Sequence, residues 1–96
     1  MPAYWIAHVT ITDPQRYAGY QALAPEAFKA HGATFLARGG ESEVVEGAPF
    51  ERHVIIQFPD MAAARACYAS PEYAAARLER EGACTAHVTF VDGISG

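Results

Sequence analysis

Four histidines, His8, His31, His53 and His87, are the side chains of this sequence best suited to chemistry near neutral pH. No pair of them has the i, i+4 helical spacing or the short loop spacing that metal ligands share. His8 and His87 fall on one parity of two segments that read as neighbouring strands, so they form the first candidate pair for acid–base work. Each also has a plain structural reading, as an imidazole hydrogen-bonded in place or seated at a subunit seam. His31 falls near a helix end without the flanking pattern of a haem ligand. Glu46, within VVEG, becomes a general base only if it is desolvated, and is otherwise a solvated hairpin carboxylate. His8, Glu46 and His87 are thus the catalytic candidates, and no resident metal or cofactor is expected.

A second group of residues suits binding. Arg38 ends a strand-like segment beside Gly39 and Gly40, where a guanidinium could hold a carboxylate in a bidentate pair. The competing role is an ion pair with Glu43, Glu46 or a partner chain, and strand parity leaves open which sheet face Arg38 takes. Arg52 and Arg77 are similar but less well placed. Tyr17 and Tyr20 share a helix face, and Tyr68 and Tyr73 flank a helix break at Ser70-Pro71. Each joins an apolar ring to a hydroxyl that needs a partner when buried. They read either as core or as the lining of a pocket for a small aromatic or unsaturated carboxylate. No Gly-x-Ser-x-Gly elbow, paired Cys and base, or phosphate-cradling loop is present.

The elements that must position these groups are legible. AYWIAHVTI (3–11) is a strand by its aromatic and β-branched content. Asp13 then caps a helix that has Pro14 at its first position and runs to about His31. Pro25 inside it predicts a kink or interruption. Gly32 closes the helix and TFLAR (34–38) is a second strand, followed by a polar stretch with a short β piece at Val44–Val45. RHVIIQF (52–58) is a third strand. Asp60 caps an Ala-rich helix over 61–69, Ser70 caps its restart over 73–81, and CTAHVTFV (84–91) is the last strand. The order β-α-β-β-α-β is the ferredoxin-like split βαβ arrangement, an α+β domain spanning residues 1–96.

One strand parity (Trp5, Ala7, Val9; Val54, Ile56, Phe58; Ala86, Val88, Phe90) is apolar and predicts the face beneath the helices. The other mixes Ile6, Leu36, Ile55 and Val91 with histidines, too apolar for a solvated sheet face. A second copy of the chain is the simplest cover, and a homodimer follows. A domain of 96 residues also has the most to gain from burial by association. The formal charge of −4, with one lysine among seven basic residues, gives no footprint for nucleic acid and no polybasic membrane anchor. The opening MPAYWIAHVT has no signal-peptide pattern, and no apolar run approaches the roughly 20 residues of a membrane span. Cys67 and Cys84 lie in no metal or redox spacing and fit separate thiols in a reducing cytoplasm.

YWIAHVTITDP, FLARGGESEVVEG and VIIQFPDMAAARACYASPEY closely resemble an uncharacterised bacterial family, domain of unknown function 1330. The resemblance runs over nearly the whole chain in order, and the strand, FP, capped Ala-rich helix and SPEY run is its most specific part. It implies the dimeric α+β barrel superfamily, in which two ferredoxin-like subunits pack sheet against sheet. Related families there include monooxygenases, isomerases and haem-handling proteins, so the implied functions differ in class. One is a cofactor-independent oxygenase or isomerase acting on a small hydrophobic or aromatic carboxylate. The other is a non-catalytic small-molecule-binding or stress-related dimer.

Overall fold

The computed structural model describes residues 1–94. Its elements run β1 (Ala3–Ile11), α1 (Pro14–Ala30), β2 (Thr34–Arg38), β3 (Arg52–Phe58), α2 (Met61–Ala69), α3 (Pro71–Arg80) and β4 (Cys84–Asp92). The strands form one antiparallel sheet in the order β2-β3-β1-β4, with every pairing antiparallel. This is the ferredoxin-like α+β arrangement, with the second helical segment broken into α2 and α3.

Local chemistry sets the helix ends. Asp13 accepts from the Arg16 amide at 3.2 Å and Asp60 from the Ala63 amide at 2.8 Å, so each carboxylate satisfies a free N–H of a first turn. Ser70 serves both sides of the break: its hydroxyl donates to the Cys67 carbonyl at 2.7 Å and accepts from the Tyr73 amide at 3.2 Å. That double use explains why a serine, only 7% exposed, sits between two apolar helices.

Trp5, on central strand β1, organises the core. Phe28, Tyr73 and Phe90 place their ring centroids 5.0 Å from its own, and Phe58 and Tyr68 stand at 5.7 Å. Edge-to-face contacts such as Trp5–Phe28, at 89° between planes, suit the quadrupoles of aromatic rings. The other sheet face is only partly covered by the described residues, with Phe50 against His8 and His87: Leu36 is 53% and Val91 44% exposed, beside half-buried Ile6 and Ile55.

Two expectations from the sequence are corrected. Pro25 does not interrupt α1, which is a single helix from Pro14 to Ala30. The carbonyl that loses its partner to the proline ring belongs to Gln21, an exposed residue, so the lost bond costs little there. Nor do Val44 and Val45 form a β piece. The ladder between β2 and β3 ends at Arg38–Val54, and Val45 stands 83% exposed beyond it with no strand to pair with.

Candidate functional site

The period-2 reading of β2 fails at one residue, and that failure builds the site. Phe35 pairs with Ile56, yet Ala37 pairs with Ile55 and Arg38 with Val54, so β2 carries one extra residue opposite β3. This bulge reverses the parity of the strand beyond it. Arg38 therefore turns to the helix side, with its guanidinium 4.3 Å from the centre of the Phe35 ring.

There it lines a cavity of about 60 Å³ between helices and sheet. Trp5, Phe28, Val54, Ile56 and Val88 form the apolar wall. Tyr17, Tyr20, Tyr73 and Gln21 bring polar atoms, and Arg38, Arg52 and Arg80 bring three guanidinium groups. Among the described residues no carboxylate lines this cavity, in a chain of formal charge −4.

Each arginine has a local cause. Arg52 opens β3 on the same parity as Val54, Ile56 and Phe58, which sends its side chain under the helices. Its guanidinium lies against Gly39, which has φ +71° and where a Cβ would collide with it. Glycine is required there twice, for the backbone and for the room. Arg80 follows buried Tyr73 and Ala76 at helical spacing, so it shares their inward stripe. It reaches to 5.1 Å from the centre of the Tyr20 ring and 3.7 Å from Cys84 Sγ. The Nε atoms of Arg52 and Arg80 are buried without a hydrogen-bond partner. A buried unpaired donor costs about 1–3 kcal/mol, more for a charged group, so two at one cavity call for an explanation.

The tyrosines supply neutral donors. Tyr20 and Tyr73 share a hydrogen bond of 2.7 Å between hydroxyls, which uses one proton and leaves the other to donate into the site. Burial pushes the pKa values of Tyr17, Tyr20 and Tyr73 above the ordinary phenol value, so all three stay protonated at neutral pH. At Tyr73 the hydrogen bond from Tyr20 and the charge of Arg80 oppose that rise. Tyr68 does not line the cavity: its ring packs on Trp5, Tyr73 and Phe90, with Arg77 4.7 Å above it.

The catalytic candidates lie on the opposite sheet face. His8 pairs in register with His53 on β3 and with His87 on β4, so three histidines cross the sheet in a row. His8 Nδ1 and His53 Nδ1 are 2.8 Å apart, one donating to the other. Phe50 packs on His87 at 4.8 Å, and Glu43 and Glu46 border the same open depression of about 580 Å³. His31 instead bonds the Ala27 carbonyl at 2.9 Å and caps α1. Among the described residues, no three His, Cys, Asp or Glu side chains converge into a metal site. Cys67 and Cys84 are separate free thiols, and burial raises that of Cys67 to about 11.

Sequence reasoning missed Arg80 and the importance of Arg52. The signal was present in both: a charged residue on an otherwise apolar strand parity, and another on the apolar stripe of a helix.

A family model described as domain of unknown function (DUF1330) matches residues 2–94. The chain belongs to this family. No curated protein matches the DUF1330 chain. Among solved structures it is similar to the RPA0582 protein of unknown function from Rhodopseudomonas palustris, with TM-score 0.80 and 17% identity over 99% of this chain and 84% of that one. A dimeric ferredoxin-like protein of unknown function from Jannaschia sp. CCS1 gives 0.75 and 14%, covering 97% and 100%. SnoaB, a cofactor-independent oxygenase from Streptomyces nogalater, gives 0.66 and 14%, covering 99% and 95%. At these identities the likeness is one of fold.

Proposed function

We propose that this DUF1330 protein is a homodimer that binds a small aromatic or unsaturated carboxylate in the cavity beneath its helices. The observation that carries the reading is that three guanidinium groups, of Arg38, Arg52 and Arg80, line a cavity to which no described carboxylate contributes. A ligand oxyanion supplies acceptors for these groups, and a guanidinium fork matches a carboxylate bidentately. The ring of the ligand lies against the apolar wall. The dimer uses the partly covered sheet face with Ile6, Leu36, Ile55 and Val91, a reading supported by the Jannaschia protein, whose description is dimeric. Residence in the cytoplasm belongs to the same proposal, its support being the two free thiols.

A catalytic reading rests on the same groups. Neutral phenols and guanidiniums aimed at one point stabilise negative charge that develops on a bound carbonyl. The fold-level likeness to SnoaB makes a cofactor-independent oxygenase or isomerase the enzyme class to test. His8, Glu46 and His87 are separated from this cavity by the sheet, so a proton is exchanged with the ligand's own groups or with water.

The test is a thermal-shift screen of matched acids and amides on one ring, such as cinnamate against cinnamamide. Acids that raise the melting temperature while their amides do not support the proposal, and equal responses refute it. Oxygen uptake with the acids that bind separates catalysis from binding alone.

A further inference from the structure

We infer that the ligand of this cavity is at least a dianion, a rigid molecule with two acidic oxygen groups held at two separate poles. The inference rests on the anion-binding reading above and goes on to its charge and shape. Three guanidiniums line the cavity, and a single carboxylate offers two oxygens, enough for one bidentate fork and part of another. Arg38 is exposed and its charge is solvated, so Arg52 and Arg80 are the charges a ligand must meet: one carboxylate leaves one of them uncompensated, and a second removes it.

The arginines divide by position. Arg38 immediately precedes Gly39 in the chain, and the Arg52 guanidinium lies against Gly39, so these two gather where β2 ends and β3 begins. Arg80 comes from the last turn of α3 and stands by the Tyr20 ring, where the Tyr20–Tyr73 hydroxyl pair adds a neutral donor. Tyr17 lines the same cavity as Arg52 and Arg80. The rest of the wall is largely apolar and aromatic, which suits a flat ring or a conjugated chain as the spacer. The pole with Arg38 and Arg52 takes a carboxylate. The pole with Arg80 and the phenols takes a second carboxylate or an acidic enol or phenol bound as its oxyanion.

The test is isothermal titration of the intact protein with benzamide, benzoate, benzene-1,3-dicarboxylate and benzene-1,4-dicarboxylate at one salt concentration. Benzoate is expected to bind more tightly than benzamide, and one of the dicarboxylates at least tenfold more tightly than benzoate. Arg52→Gln and Arg80→Gln are each expected to bring that dicarboxylate down to the affinity of benzoate for the unsubstituted protein. Arg80→Lys, which keeps the charge and loses the fork, should fall between. If benzoate outbinds benzamide and neither dicarboxylate outbinds benzoate, the dianion inference is wrong and the anion site stands. If no acid outbinds benzamide, both fail. Circular dichroism of each variant excludes loss of fold as the cause.

Discussion

Replacing Arg80 by methionine should make the protein more stable and less able to bind. Methionine keeps the apolar stem of the side chain and removes a guanidinium whose Nε is buried without a partner. Relieving that donor is worth about 2 kcal/mol, the middle of the range for an unsatisfied buried group. Against it stand the contact over the Tyr20 ring, at 5.1 Å worth roughly 0.5 kcal/mol, the interaction of a cation with the C-terminus of α3, roughly another 0.5, and the hydrogen bond to Cys84 Sγ at 3.7 Å, roughly 0.5 more. The balance is a gain of about 0.5 kcal/mol, or about 2–4 °C in melting temperature for a domain of this size. Urea unfolding followed through the single tryptophan, Trp5, reads the stability, and titration with an aromatic carboxylate reads the affinity, expected to fall at least tenfold. A variant that loses more than about 1 kcal/mol while binding as before would show that Arg80 is held for structure, and the argument from its unpaired nitrogen would collapse.

Gly39→Ala should cost about 1–2 kcal/mol through its positive φ and, by pushing Arg52 aside, weaken the ligand several-fold. Gly40→Ala, whose Cβ meets nothing within 4 Å, is the control, and equal effects from the two substitutions would remove Gly39 from the account. Tyr17, Tyr20, Tyr73 and Cys67 all hold their protons more tightly folded than unfolded, so their contribution is intact below the ordinary thiol and phenol values. Stability should therefore decline as pH rises above about 9, for Cys67 up to about 11, and denaturant midpoints constant to pH 11 would contradict this. Ile55→Asp places a charge on the partly covered sheet face and should turn a dimer into a monomer by light scattering, whereas an unchanged dimer would mean that the copies meet elsewhere.

Much of the fold could be read from residue types because local rules and tertiary packing agree here. Asp13-Pro14 and Asp60 mark helix starts by a mechanism that needs no knowledge of the rest of the chain, and the apolar parity of β1, β3 and β4 names the buried sheet face. Arg38 could not be placed, because a bulge in β2 is decided by pairing with β3 and leaves no mark in a five-residue strand. Val44 and Val45 have strand-forming side chains and no neighbour to pair with, so propensity misled. Tyr68 sits beside the helix break and reads as pocket lining in the sequence, yet Ser70 turns the chain so that Tyr73 faces the cavity and Tyr68 packs over β4. Arg80 was the most informative omission: a charge on an apolar helical stripe is expensive, and its expense is the sign of a site.

If Arg52 and Arg80 hold the ligand's acidic oxygens directly, nitrogen–proton NMR reads the contact. The Nε–H groups of the six arginines give separate nitrogen–proton NMR signals that can be assigned by substitution. Adding a saturating aromatic carboxylate should move the Arg52 and Arg80 signals downfield and slow their exchange with water, while those of Arg16, Arg65 and Arg77 stay in place. If the ligand binds and the Arg52 and Arg80 signals do not move, the anion is held somewhere else and the account is wrong.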